Sequence, residues 1–213
     1  MSDAFDLTVM YAMHDALRRE LAHLDRLTTT ADHDPRQVLA ATAGWTLFKK
    51  ALHAHHTAED DALWPSLRRN LADRPKDLAL LEVMEAEHAA IATVIQAIDG
   101  ALTDPGADSL RLGQLADALA RGLAGHLEHE EGTVLPLVRR VLTAEQWGHF
   151  SRVQARHIDQ DAPLLLPWLL DGADERTAAR LLARLPAPAY AACTARWIPA
   201  YADLDRWSPS TTA

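Results

Sequence analysis

The chain has 213 residues, 48% of them hydrophobic and 24% charged, which fits one globular domain with an extension or two small domains. Its net charge is −9 and its basic residues are scattered, with pairs such as Arg68-Arg69 and Arg139-Arg140 reading as solvated helix ends, so nucleic acid is excluded as a partner. No apolar run is long enough to span a membrane, the acidic N-terminus does not read as a secretory signal, and the single Cys193 offers neither a disulfide nor a thiolate metal site. A cytoplasmic monomer or homodimer is the simplest expectation.

The Ala, Leu and Arg content favours helix. A first helix is expected over 8–27, where Met10, Met13, Leu17, Leu21 and Leu24 form one apolar stripe that includes His14. A second opens with Asp34 as N-cap, Pro35 at the first helical position and Gln37 in a capping-box-like place. Its stripe is Val38, Ala41, Trp45, Phe48, Leu52, His55, Glu59 and Leu63, and Pro65 is expected to kink or end it. A third helix over 76–102 carries Leu81, Met84, His88, Ile91, Ile95 and Ile98 on one face, before a Thr-Asp-Pro-Gly turn at 103–106. The fourth begins near Ser109, and its stripe is Leu112, Leu115, Leu119, Leu123, His126, Glu130 and Val134.

The second and fourth helices share a pattern. His55-x-x-x-Glu59 ahead of Leu63-Trp64-Pro65 recurs as His126-x-x-x-Glu130 ahead of Leu135-Pro136, at an offset of 71 residues (126 against 55, 130 against 59, 136 against 65). His14 and His88 correspond at an offset of 74. These relations predict an all-α, up-down-up-down four-helix bundle with pseudo-twofold symmetry over residues 6–142. A helical extension over 143–213 follows, in which Thr143 caps a helix carrying Trp147, Phe150, Val153 and His157, and proline-punctuated pieces cover 162–170, 174–185 and 189–205. Four of the six tryptophans lie in it, so it is expected to pack on the bundle or form a dimer contact, with 208–213 disordered.

Two carboxylates on core-facing positions require neutralisation, and no lysine or arginine on the four stripes supplies it. Residues four apart on a helix share a face, so each His-x-x-x-Glu pair can reach one point beside its helix. His14, His55, Glu59, His88, His126 and Glu130 are therefore the expected metal ligands. Imidazole and carboxylate without thiolate suit iron, manganese or zinc. Six side chains for two metals imply that both carboxylates bridge, each metal keeping two imidazoles and open positions for dioxygen, peroxide or nitric oxide. His53 and His23 lie opposite the stripes and should face solvent. His56 and His129 are expected at the surface, with an outer supporting role as the alternative. His33 falls in a loop, His149 has no assignment and His157 lies outside the repeat. Glu85, three residues before His88, is expected to be a supporting or surface residue, and Tyr11 lies within reach of the site or lines the bundle.

The order and spacing of His14, His55-x-x-x-Glu59, His88 and His126-x-x-x-Glu130 resemble the hemerythrin-like, or HHE cation-binding, family, in particular bacterial members with a C-terminal helical extension. The resemblance implies a four-helix bundle around two non-haem iron ions, zinc or manganese being less favoured. It places His14 and His55 on one iron and His88 and His126 on the other, with Glu59 and Glu130 bridging. Oxygen-carrying members have a second histidine four residues from the first on the third helix, and an aspartate five residues after the last histidine. Here Met84 and Ala92 flank His88 at that distance, and Glu130 follows His126 by four. The set is closer to variant hemerythrin-like proteins and iron–sulfur repair proteins, although the cysteine-bearing N-terminal segment of the latter has no counterpart here. The implied function is a di-iron protein that reacts with or binds hydrogen peroxide, nitric oxide or dioxygen in oxidative or nitrosative stress, as an oxidoreductase of peroxide or nitric oxide. The alternatives are a module that senses or stores oxygen or iron without turnover, and a bundle that has lost its metal.

Overall fold

A computed structural model describes residues 5–29, 34–104, 106 and 108–207, and every regular element among them is helical. His33 and residues 208–213 lie outside the described residues. Helix α1 is Thr8–Thr29. Next come α2, Pro35–Ala41, and α3, Gly44–Ala58, which runs through a π turn at Glu59–Leu63 into α4, Trp64–Asn70. Helix α5 is Pro75–Thr103, and α6, Ser109–His129, runs through a second π turn at Glu130–Val134 into α7, Leu135–Val141. These runs form the up-down-up-down bundle. Helices α8 (Ala144–Ile158), α9 (Ala162–Leu170), α10 (Glu175–Ala183), α11 (Ala187–Ala192) and α12 (Ile198–Ala202) make the extension.

The second predicted helix is not continuous, and the reason is tertiary. The backbone breaks at Thr42 and Ala43, and the freed N–H groups of Ala43 and Gly44 donate to the carbonyls of Asp205 and Arg206 at 2.9 and 2.7 Å. The end of the chain thus caps α3. Asp34 does cap α2, accepting from the Arg36 N–H, and the Arg36 guanidinium also folds back on the cap. Thr143 caps α8 in a complete capping box with Gln146.

Pro65 and Pro136 neither end nor break their helices. A helical proline lacks an N–H and crowds the carbonyl four residues back. Each is preceded by a π turn whose widened bond, Trp64 N–H to Glu59 O or Leu135 N–H to Glu130 O, absorbs the conflict. The π turn at Cys193–Trp197 stands in the same relation to Pro199.

The core is in two parts. One apolar cluster holds Leu17, Phe48, Leu52, Ile91, Ile98 and Leu123, and the other holds Met10, Leu63, Trp64, Leu81, Met84 and Val134. Along every long run the chain passes from one cluster to the other through buried polar residues: His14, then His55 and Glu59, then His88, then His126 and Glu130. Trp168 joins the first cluster and Trp147 with Phe150 the second, so the extension packs on its own bundle. Arg19 of α1 donates to the carbonyls of Trp168 and Asp171, while the Trp207 indole N–H donates to buried Glu20 at 2.5 Å.

Candidate metal centre

The six expected ligands converge in the polar layer between the two clusters, and all are buried. They fall into two groups whose donor atoms lie within 4.8 Å of one another. The first is His14, His55, Glu59 and Glu130, and the second is His56, Glu59, His88 and His126. Glu59 belongs to both, Glu130 only to the first. The second group thus has three imidazoles and not two, because His56 replaces a surface position with an interior one. Its Nε2 is fully shielded, and its ring stacks on that of His88 at 3.8 Å between centroids. The sequence signal was present, since His56 precedes Glu59 by three residues, the other spacing that shares a helix face.

The π turns aim these residues. Each begins at the glutamate of the repeat, so Glu59 and Glu130 turn inward while the next acid, Asp60 or Glu131, reaches a histidine on another helix. His88 Nδ1 lies 3.1 Å from Asp60, His14 Nδ1 2.7 Å from Glu131, and His126 Nδ1 2.9 Å from Glu87. An imidazole that donates Nδ1–H to a carboxylate must present the Nε2 lone pair on its other edge. In all three rings that edge faces the centre. His14 Nε2 and His55 Nε2 stand 3.1 Å apart, and His14 Nε2 is 3.1 Å from a Glu130 oxygen. Apart from contacts with one another and with His14 and His55 at 3.1–3.5 Å, the carboxylate oxygens of Glu59 and Glu130 and Nε2 of His56, His88 and His126 are buried without a hydrogen-bond partner among the described residues. Orphaned acceptors aimed at one another are costly in an apolar core, and cations satisfy them together. The residues therefore fit metal.

On protein charges alone the layer is strained. Burial and the neighbouring Glu130 push the Glu59 carboxyl up to about 8. Burial also acts upward on Glu130, but His14, through charge and hydrogen bonding, holds it down at about 2. Burial acts downward on His14 and is outweighed by Glu130 and Glu131, which raise it to about 9. His88 reaches about 9 in the same way through Asp60 and Glu59. Burial and neighbouring imidazoles keep His55 and His56 well below the usual histidine range.

The other candidates lie elsewhere. Tyr11 is 42% exposed and belongs to neither donor group. Glu85 is held by Arg68 near the surface, and His53 is exposed as expected. His23 points away from the centre, but Trp207 stacks on it and keeps it from open solvent. His129 shares Glu87 with His126, His157 of the extension pairs with Asp61 of the bundle, and His149 is exposed. Sequence reasoning placed His56 at the surface and gave no role to Asp60, Glu87 or Glu131.

A cleft of about 620 Å³ opens onto the centre between α3 and α5. Their backbones stand apart, bridged toward one end by Trp45 and Lys49 to Asp99. Leu52, Ile91 and Ala92 line the cleft, His56 and His88 border it, and Lys49, His53 and Glu85 also line it. No described helix is long and apolar enough to cross a membrane.

Residues 6–138 match the family described as the hemerythrin HHE cation-binding domain. No curated protein and no solved structure matches the chain. The match covers well over half of the chain, which therefore belongs to the hemerythrin HHE cation-binding family.

Proposed function

We propose that this member of a cation-binding family is a non-haem di-iron protein that binds or consumes hydrogen peroxide, nitric oxide or dioxygen in oxidative or nitrosative stress. The observation that carries the reading is a pair of donor groups sharing Glu59 beside an open cleft. His14, His55 and Glu130 would hold one ion, His56, His88 and His126 the other, and Glu59 would span them. A donor set of imidazole and carboxylate suits iron. Two bound irons would supply redox equivalents and Lewis acidity to a small molecule.

The chain's own residues do the rest. Asp60, Glu87 and Glu131 hold protons on the outer nitrogens of three imidazoles, which keeps the inner lone pairs directed at the centre. The two apolar clusters exclude bulk water on either side, leaving the α3–α5 cleft as the approach for a small molecule.

Metal analysis of the purified protein, with absorption spectra before and after peroxide or nitric oxide, tests this reading. About two irons per chain and rapid loss of peroxide support consumption. A stable oxygen or nitric oxide adduct without turnover supports sensing or storage instead. Zinc alone, or no metal, overturns the di-iron assignment. Glu59→Ala is expected to release both ions and destabilise the bundle, because metal binding is coupled to folding.

A further inference from the structure

We infer a second ligand site, independent of the metal reading, that takes an apolar monocarboxylate. A cavity of about 320 Å³ lies where α8, α9 and α10 of the extension fold against α1, a size at the lower end of small-molecule pockets. Its lining is mostly aliphatic and aromatic, with Met10, Met13, Phe150, Leu169 and Leu181 from four different helices. The polar groups in the lining divide by whether they are already engaged. Asp6 accepts from Thr8 and Arg184, and the Ser151 hydroxyl donates to the Trp147 carbonyl. Gln154 is 6% exposed, and its amide Nε2 is buried with no partner. Arg152, at the surface, has no carboxylate partner among the described residues.

The unused capacity is thus two donors, one of them cationic. A buried amide N–H left unbonded costs free energy, so an occupant that supplies an acceptor is favoured over a hydrocarbon. The positive charge of Arg152 makes an anionic acceptor the better match. A carboxylate bonded to the Gln154 amide, in the field of the Arg152 guanidinium, with a chain of about ten carbons would match this lining and fill the apolar remainder, given roughly 30 Å³ per water-sized group. Such a ligand would tie α1, whose next residue after Met13 is His14, to the extension.

The test is titration of the full-length, metal-loaded protein with decanoate, followed by tryptophan fluorescence and melting temperature, with decanol and octanoate alongside. Saturable binding of decanoate is expected, weakening about fourfold for each methylene removed and at least tenfold for decanol. Arg152→Ala and Gln154→Leu should each weaken decanoate by about five- to tenfold without loss of metal. Ala155→Trp, at the exposed edge of the cavity, should block binding while the protein stays folded. Absence of saturable binding overturns the proposal, and so does decanol binding as tightly as decanoate. Undiminished binding to Ala155→Trp would place the ligand elsewhere and overturn it equally.

Discussion

The repeat is symmetric in the six expected ligands and asymmetric in what surrounds them. Asp60 holds His88 as Glu131 holds His14, at the 71- and 74-residue offsets of the two halves. Yet Leu127 stands where the first half has His56, and Met13 stands where the second half has Glu87. One group therefore gains a third imidazole and a second supporting carboxylate, while His55 Nδ1 is buried without a partner. Two ions held by these groups would differ in affinity. His56→Ala is expected to lose one ion per chain on mild chelation, and His53→Ala neither; equal retention in both variants would remove His56 from the ligand set. Glu131→Ala frees the His14 ring to reorient and should weaken metal about 10- to 100-fold in a chelator competition, with helicity unchanged. The convergence of the six expected ligands was legible because apolar periodicity fixes which face is interior. His56 was not, because a stripe assumes a narrow contact between neighbouring helices, and the gap between α3 and α5 exposes a wider arc of α3 to the centre. The acids on the outer nitrogens were invisible to that logic, since a carboxylate at the edge of a helix looks like any solvated residue.

At the scale of elements, the prolines were legible and their effect was not. Pro65 is expected from sequence to end or kink its helix and Pro136 repeats its position, yet a single π turn before each lets the helix continue. Interior cohesion explains this: Leu63, Trp64, Leu67, Val134, Leu135 and Val138 are all buried in one cluster, and ending the helix would surrender that burial. The break between α2 and α3 escaped for the opposite reason, because its cause lies more than 160 residues away in the chain. A Cβ on Gly44 would overlap the Arg206 carbonyl and the Trp207 ring. Gly44→Ala is therefore expected to lower stability by about 1–3 kcal/mol in urea denaturation. Trp207 fluorescence should report an undocked tail. A second tie between bundle and extension is the Asp6–Arg184 pair. Burial acts to raise Asp6, but hydrogen bonds from Thr8 together with Arg184 lower it below 3.8. A depressed carboxylate pKa gives stability that is present above the unfolded value and lost as pH falls through the folded one. Both partners are 39% exposed, so the pair is worth only about 0.5 kcal/mol after screening. Asp6→Asn should show that deficit at pH 6 and lose it in acid, once the Asp6 carboxyl is protonated in the folded protein.

For the whole molecule, the extension decides which side of the bundle stays open. Helix α8 packs along α3, and α9 and α10 pack on α1, so that flank is closed. The α3–α5 flank has no such cover among the described residues, and there the cleft borders His56 and His88. If small molecules reach the centre by this route, closing it should slow their reaction without disturbing the ligands. Ala92 is exposed, lines the cleft and lies one turn beyond His88 on the same helix face. A helical side chain leans toward the N-terminus, so a tryptophan at 92 would lie over the turn that carries His88. Ala92→Trp is therefore expected to keep its metal and its melting temperature while its stopped-flow rate with peroxide or nitric oxide falls by about tenfold, within the range over which association rates shift with access. Ala92→Ser, of nearly the same size, should leave the rate unchanged. An unaltered rate in the tryptophan variant would mean that small molecules enter along another path, and the apolar flank under the extension would then be the side to close.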